Sequence, residues 1–291
     1  MFKDMNFYSH EKIGEKVYVI TEGYCSEFRF TLGLIVGEEK VLLIDSGMGM
    51  AGGLRKYIEG IVGIEKPIIC ACTHGHVDHV GSAIEFDKAY LNERDYPLLP
   101  GFGLYAPTRF GDLTAFSCDN PDVLYHAAQH YVKNEDTKFE NIEDGDVLEL
   151  GGIKVQAIAV PGHSEGSMAF YIKDENICFT GDAVNFQVHI KRKDEQGLLE
   201  CRKSLIRFME IVDKDCRLYS GHLSIAQPMK VAENIAQAML EVSQHKIHGD
   251  LPVEMIFKNQ KNSDGKLNRA HYLGNCCLVY NGLLIKEENN E

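Results

Sequence analysis

Apolar residues recur through the first fifty positions in short runs: Val17–Ile20, Phe28–Val36 and Lys40–Ile44, broken at Gly23 and by Gly37-Glu38-Glu39. This pattern predicts successive strands separated by turns. Over residues 52–62 the spacing changes to that of a helix, with Leu54, Tyr57, Ile58 and Ile61 on one side. A short apolar strand follows at 67–72 and ends just before His74. A second series of strands is predicted at 146–150, 153–160, 167–172 and 176–180, then a helix over about 196–212 and a strand at 217–220. Two strand-rich halves, each finished by helices, imply two sheets packed face to face with helices outside, an α+β architecture.

Residues 95–140 interrupt this pattern with Gly, Pro and aromatic residues, and with a helical stretch over 122–131. An insertion of that length between regular halves is expected to lie over a site or to form a partner surface. The tail carries an amphipathic helix near 228–245 and a weaker strand pattern up to Tyr280. We therefore expect one catalytic unit over 1–225 and an extension over 226–291 packed on it.

Composition narrows the function. The 291 residues carry a formal net charge of −13, which argues against a nucleic-acid surface. The one short basic cluster, Lys191-Arg192-Lys193, reads first as a solvated loop, though it could meet an anionic substrate. No apolar run has the length of a membrane span, and the N-terminus lacks a secretory pattern. Nine cysteines without a C-x-x-C pair then suggest reduced thiols and a cytoplasmic location. The expected partner is a small-molecule substrate, with no nucleic acid and no membrane; an aromatic-rich insertion also allows a homodimer contact.

The chemistry concentrates in His74-Gly75-His76-Val77-Asp78-His79, which follows a buried strand. On an extended segment His74 and His76 share a side, Asp78 continues that spacing and His79 faces elsewhere, so one loop can serve two neighbouring ions. Imidazole and carboxylate suit Zn²⁺, Fe and Mn²⁺ alike, and Zn²⁺ is the first expectation. His163 in Pro161-Gly162-His163-Ser164, Asp182 in Thr180-Gly181-Asp182 and His222 in Ser220-Gly221-His222 each stand at a predicted strand end.

In this order the motifs resemble the metallo-β-lactamase-fold superfamily of metal-dependent hydrolases, over about residues 14–225. The resemblance implies a four-layer αββα sandwich with two divalent ions at one edge. His74, His76 and His163 would hold the first, Asp78, His79 and His222 the second, and Asp182 would bridge them. Asp45, in Asp45-Ser46-Gly47, matches the early turn whose carboxylate supports the site from behind. The bridging Asp182 points toward the glyoxalase II-like, lactonase-like and phosphodiesterase-like branches rather than β-lactam cleavage. His76 stands where diiron flavoproteins carry Glu, which disfavours oxygen or nitric oxide reduction.

Two divalent ions roughly 3.5–4 Å apart can hold a bridging hydroxide at neutral pH and polarise a substrate oxygen. The residual positive charge favours the oxyanion formed on a carbonyl. The expected reaction is hydrolysis of an ester-like bond, a thioester or lactone, with Asp78 also placed to accept or return a proton. The alternatives are a mono-iron persulfide-dioxygenase-like oxidoreductase, a phosphodiesterase and a non-catalytic metal-binding partner protein. Substrate contacts are expected from Tyr105, His126 and His130 in the insertion and from His189 within 183–192.

Overall fold

The computed structural model describes residues 6–116, 120–253 and 267–282. A first sheet of seven strands runs in chain order: β1 (Tyr8–Lys12), β2 (Val17–Gly23), β3 (Arg29–Val36), β4 (Val41–Ile44), β5 (Ile68–Ala71), β6 (Lys88–Leu91) and β7 (Phe139–Asn141). The first four pair antiparallel through tight turns, whereas β4 to β7 pair in parallel. Parallel neighbours need crossovers, and these are the segments that carry the helices and the His-rich loop.

A second sheet has the order β14-β13-β11-β10-β9-β8, from β8 (Val147–Glu149), β9 (Lys154–Ala159), β10 (Met168–Ile172), β11 (Ile177–Gly181), β13 (Arg217–Ser220) and β14 (Leu223–Gln227). Three cores show the layering. One lies between the sheets, where Leu42, Ile44, Phe170 and Phe179 meet. A second packs the first sheet against α1 (Leu54–Val62), α3 (Ala106–Phe116) and α4 (Pro121–His130). A third packs the second sheet against α5 (Glu195–Ile211) and α6 (Lys230–Ser243). The architecture is the expected αββα sandwich.

The sequence pattern misses β1, β6, β7, β12 (Gln187–Ile190), β14 and α3. Of these β12 matters most, because it joins neither large sheet. It pairs in parallel with β17 (Cys276–Tyr280), Gln187 opposite Cys277 and Ile190 opposite Tyr280. Beyond β17 lie β16 (Arg269–Leu273) and β15 (Leu251–Pro252), so the tail builds a third, four-stranded sheet around a segment from the middle of the chain. The extension is thus structurally continuous with residues near the site. The charged end after residue 282 lies outside the described residues. Among the described residues no helix is long and apolar enough to cross a membrane.

Candidate metal centre

Strand β5 ends at Ala71, and the chain continues through Cys72 and Thr73 to His74 and His76, all buried. The extended spacing expected to run on through Asp78 stops at His76. Residues Val77–Val80 instead form one helical turn, α2, with His76 as its extended N-cap and His79 N–H donating to His76 O at 3.1 Å. Asp78 and His79 therefore reach the site from a helix start, which is how adjacent residues serve the same side. His163 comes from the β9–β10 connection, Asp182 follows β11 and His222 follows β13.

These seven residues converge. His74 Nε2 and His163 Nε2 both lie 3.0 Å from His76 Nδ1. Asp78 Oδ2 lies 3.6 Å from His79 Nε2 and 3.5 Å from His222 Nε2. Asp182 Oδ2 stands between the groups, 3.5 Å from His163 Nε2, 3.8 Å from His79 Nε2 and 3.2 Å from His222 Nε2. Close approach explains the glycine before His222: a Cβ on Gly221 would sit 2.7 Å from Asp182 Oδ1.

The outer nitrogens are fixed by hydrogen bonds. His163 Nδ1 donates to His189 O at 3.0 Å and His79 Nδ1 to Asp45 Oδ2 at 2.8 Å, which in the neutral rings leaves both Nε2 atoms as lone pairs turned inward. His79 Nε2 and Asp182 Oδ1 are buried with no protein hydrogen-bond partner. In the first group the three nitrogens are satisfied only by a proton on His76 Nδ1 or by a shared cation. Such inward lone pairs beside carboxylates fit divalent cations.

The two groups differ electrically. Burial, with the neighbouring imidazoles, holds His74 and His76 well below the usual histidine range. Burial likewise takes His163 down to about 4, with Asp182 opposing. Burial also disfavours charge on His79 and His222, but nearby carboxylates outweigh it. Asp45, Asp78 and Asp182 push His79 well up, and Asp182 and Asp78 raise His222 to about 9. Asp182 is held well below the usual carboxylate range: His222 and His79 outweigh its burial.

Asp45 stands behind the loop. Its Oδ1 accepts from Thr73 N at 2.6 Å, and its Oδ2 from Thr73 Oγ1 at 2.9 Å and from His79 Nδ1. It is a non-glycine residue at φ +59°, buried, a strained backbone held by these bonds. Asp95, unmarked by any sequence pattern, does the corresponding work for the first group. Fully buried, its Oδ2 accepts from Gly75 N at 2.9 Å and Ser164 Oγ at 2.7 Å, and its Oδ1 from Gly166 N at 2.7 Å. One carboxylate thus ties the His74–His76 loop of the first sheet to the His163 loop of the second. A Cβ on Gly166 would lie 2.8 Å from Asp95 Cγ, so the glycine after Glu165 admits the clamp.

A cavity of about 480 Å³ opens over this cluster, with His76, Asp78, His163, Asp182 and His222 in its lining. Phe28, Phe30, Met48, Phe102 and Phe116 form an apolar wall, and Gln187, His189 and Lys191 a polar one. His189 lines this cavity together with Lys191, whose Nζ lies 3.2 Å from His76 Nε2. Arg192 instead pairs with Glu165.

The other three residues expected to contact substrate do not line this cavity. Tyr105 is 48% exposed and does not line the cavity, where Phe102 takes that part. His126 turns away, its Nε2 on Ala51 O at 2.9 Å and its ring against Phe7. His130 lies against His126, ring centroids 4.4 Å apart and tilted by 34°. The i, i+4 spacing put both on one face of α4, but that face packs toward the N-terminal segment and the 51–53 loop. The insertion reaches the cavity through Phe102, Asp112 and Phe116.

Residues 31–213, more than half of the chain, match the metallo-beta-lactamase superfamily. The chain belongs to this superfamily. It is 28% identical over 240 residues to the acyl-coenzyme A thioesterase MBLAC2 of Homo sapiens, covering 76% of this chain and 82% of that one. It is 28% identical over 207 residues to the hydroxyacylglutathione hydrolase GloC of Haemophilus influenzae, covering 67% and 86%. A solved metallo-beta-lactamase family protein from Thermus thermophilus superposes with a TM-score of 0.54 at 20% identity, over 81% of this chain and 84% of that one, which supports the fold.

Proposed function

We propose that this superfamily member is a hydrolase that cleaves a thioester of a small molecule at a centre holding two divalent ions, with Zn²⁺ preferred. The reading is carried by Asp182 Oδ2, which lies 3.5 Å from His163 Nε2 and 3.2 Å from His222 Nε2, between the His74–His76–His163 and Asp78–His79–His222 clusters, and which forms a third cluster with His74 and His79. A carboxylate so placed favours two ions over a single-iron oxidoreductase, and likewise over a partner-docking role. Bound ions would supply an ionised water and a Lewis acid for the substrate oxygen.

The chain's own residues do the rest. His74, His76 and His163 would hold one ion and Asp78, His79 and His222 the other, with Asp182 within reach of both groups. Asp45 and Asp95 keep the imidazoles aimed. Asp78, whose side chain lines the cavity and is 19% exposed, takes or returns a proton at its carboxylate. Phe28, Phe30, Phe102 and Phe116 exclude water around the reacting carbon. The preference for a thioester over a lactone, phosphodiester or sulfate ester rests on the two relatives named as thioesterase and hydroxyacylglutathione hydrolase. The buried free thiols support action in a reducing cytoplasm.

The test is a screen of metal-replete protein against these four ester classes, repeated after chelation and in Asp182→Ala. Thioester hydrolysis should appear and should vanish with chelation and with the substitution. Undiminished hydrolysis by metal-free Asp182→Ala protein would sink the mechanism.

A further inference from the structure

The cavity over the metal centre is divided by chemistry. Along the Asp78–His222 side runs an aromatic arm. Phe30 meets the His222 ring edge-on at 5.7 Å, Phe28 meets Phe30 edge-on at 4.9 Å, and Phe116 stacks on Phe28 at 4.7 Å with an 11° tilt. Met48 lines the same arm, and its backbone is pinned from both ends: its N–H donates to buried Glu22 at 2.7 Å and its carbonyl accepts from buried Arg109 at 3.3 Å. A wall anchored this way keeps its shape when a ligand enters. Two carboxylates share this arm, Asp112 one helical turn before Phe116 and Glu27 next to Phe28. The cation lies on the other side, with Lys191 against His76 and the His189 carbonyl accepting from His163 Nδ1.

We propose that the arm bounded by Phe30, Met48, Phe28 and Phe116 seats an uncharged, apolar acyl chain, and that Asp112 and Glu27 bar acyl groups ending in a carboxylate. This rests on the thioester reading above and names the substrate class within it. The arm buries apolar surface, which rewards each methylene until the stacked rings stop the chain. Biological thiol carriers are polar and commonly anionic, so the two carboxylates repel them from this arm. The acyl half is left to occupy it, and the released thiol departs on the Lys191 side. Discrimination against a terminal carboxylate needs no direct contact, since like charges in a partly desolvated cavity repel strongly.

The decisive experiment uses metal-replete protein and straight-chain S-acyl-N-acetylcysteamine thioesters, whose neutral leaving group isolates the arm, with calorimetric binding of the matching S-alkyl thioethers. kcat/KM should rise about fourfold per methylene and then stop rising. Phe116→Ala should move that stop to longer chains, with Phe28→Leu as the second variant should the first fail to fold. Asp112→Asn should cut the preference for butyryl over succinyl thioester about tenfold. Hydrolysis indifferent to chain length, or a length profile that neither variant shifts, overturns the acyl seat and leaves the hydrolase reading standing. Length-dependent thioether binding without hydrolysis overturns the hydrolytic reading alone, and neither binding nor hydrolysis overturns both.

Discussion

Asp182 joins the two donor groups through one oxygen, 3.5 Å from His163 Nε2 and 3.2 Å from His222 Nε2. Its identity was readable from Gly181-Asp182 at a strand end; its shared position was implied by the family resemblance alone, because the strands that bring its partners are far apart in sequence. Glu22 illustrates what a sequence hides entirely. It sits fully buried within β2, and burial raises it to about 7 against the lowering effect of hydrogen bonds from Tyr24 and Met48 N. The native carboxyl therefore holds its proton between about pH 4.5 and 7, where the unfolded one has lost it. Stability contributed by this group is largest below pH 4.5 and falls as pH rises to 7, by about 3 kcal/mol. Denaturant unfolding of Glu22→Gln should show a flatter pH profile in that window; an unchanged slope would remove Glu22 as its cause.

At the scale of elements, strand ends made the candidate metal residues legible. A periodic apolar run followed by Gly and His or Asp is a local signal, and the segments at the ends of β5, β9, β11 and β13 carried it. The clamps were illegible because their partners are non-local: Asp95 reaches residues 75, 164 and 166, and Arg109 reaches 48, 132 and 134. The periodicity of α4 identified a helix without saying which neighbour it faces, and His126 on it packs against Phe7 and Ala51, outside the cavity. Asp95→Ala should leave the fold in place and weaken metal binding about 10–100-fold, the usual cost of losing a group that orients ligands. Competition with a chromophoric chelator measures this, and unchanged affinity would reduce Asp95 to a loop tie. For β12, Leu278 is the lever: it is fully buried opposite Val188 in the register of β17. Leu278→Ala should cost about 2–5 kcal/mol and raise KM more than it lowers kcat. A pure stability loss with KM unchanged would detach β12 from substrate binding.

Across the whole molecule, the sandwich places one imidazole-rich and one carboxylate-rich group at the edge where the two sheets meet. Nearby carboxylates raise His79 and take His222 up to about 9, and so favour protons on these rings in the metal-free protein. Metal entry must displace them, so binding at pH 7 should release protons, and apparent affinity should climb as pH rises toward 9. Calorimetry in buffers of different ionisation enthalpy reads the proton count. The overall charge of −13 attracts cations generally, so specific binding must be judged by number and by residue dependence.

Counting metal per chain after dialysis against Zn²⁺, Fe²⁺ or Mn²⁺ and removal of loosely bound ions tests the central claim most directly. The dinuclear account predicts two ions per chain in the native sequence and loss of at least one in Asp182→Ala, with thioester hydrolysis lost in parallel. A single ion per chain in the native protein, unaffected by Asp182→Ala, would contradict it.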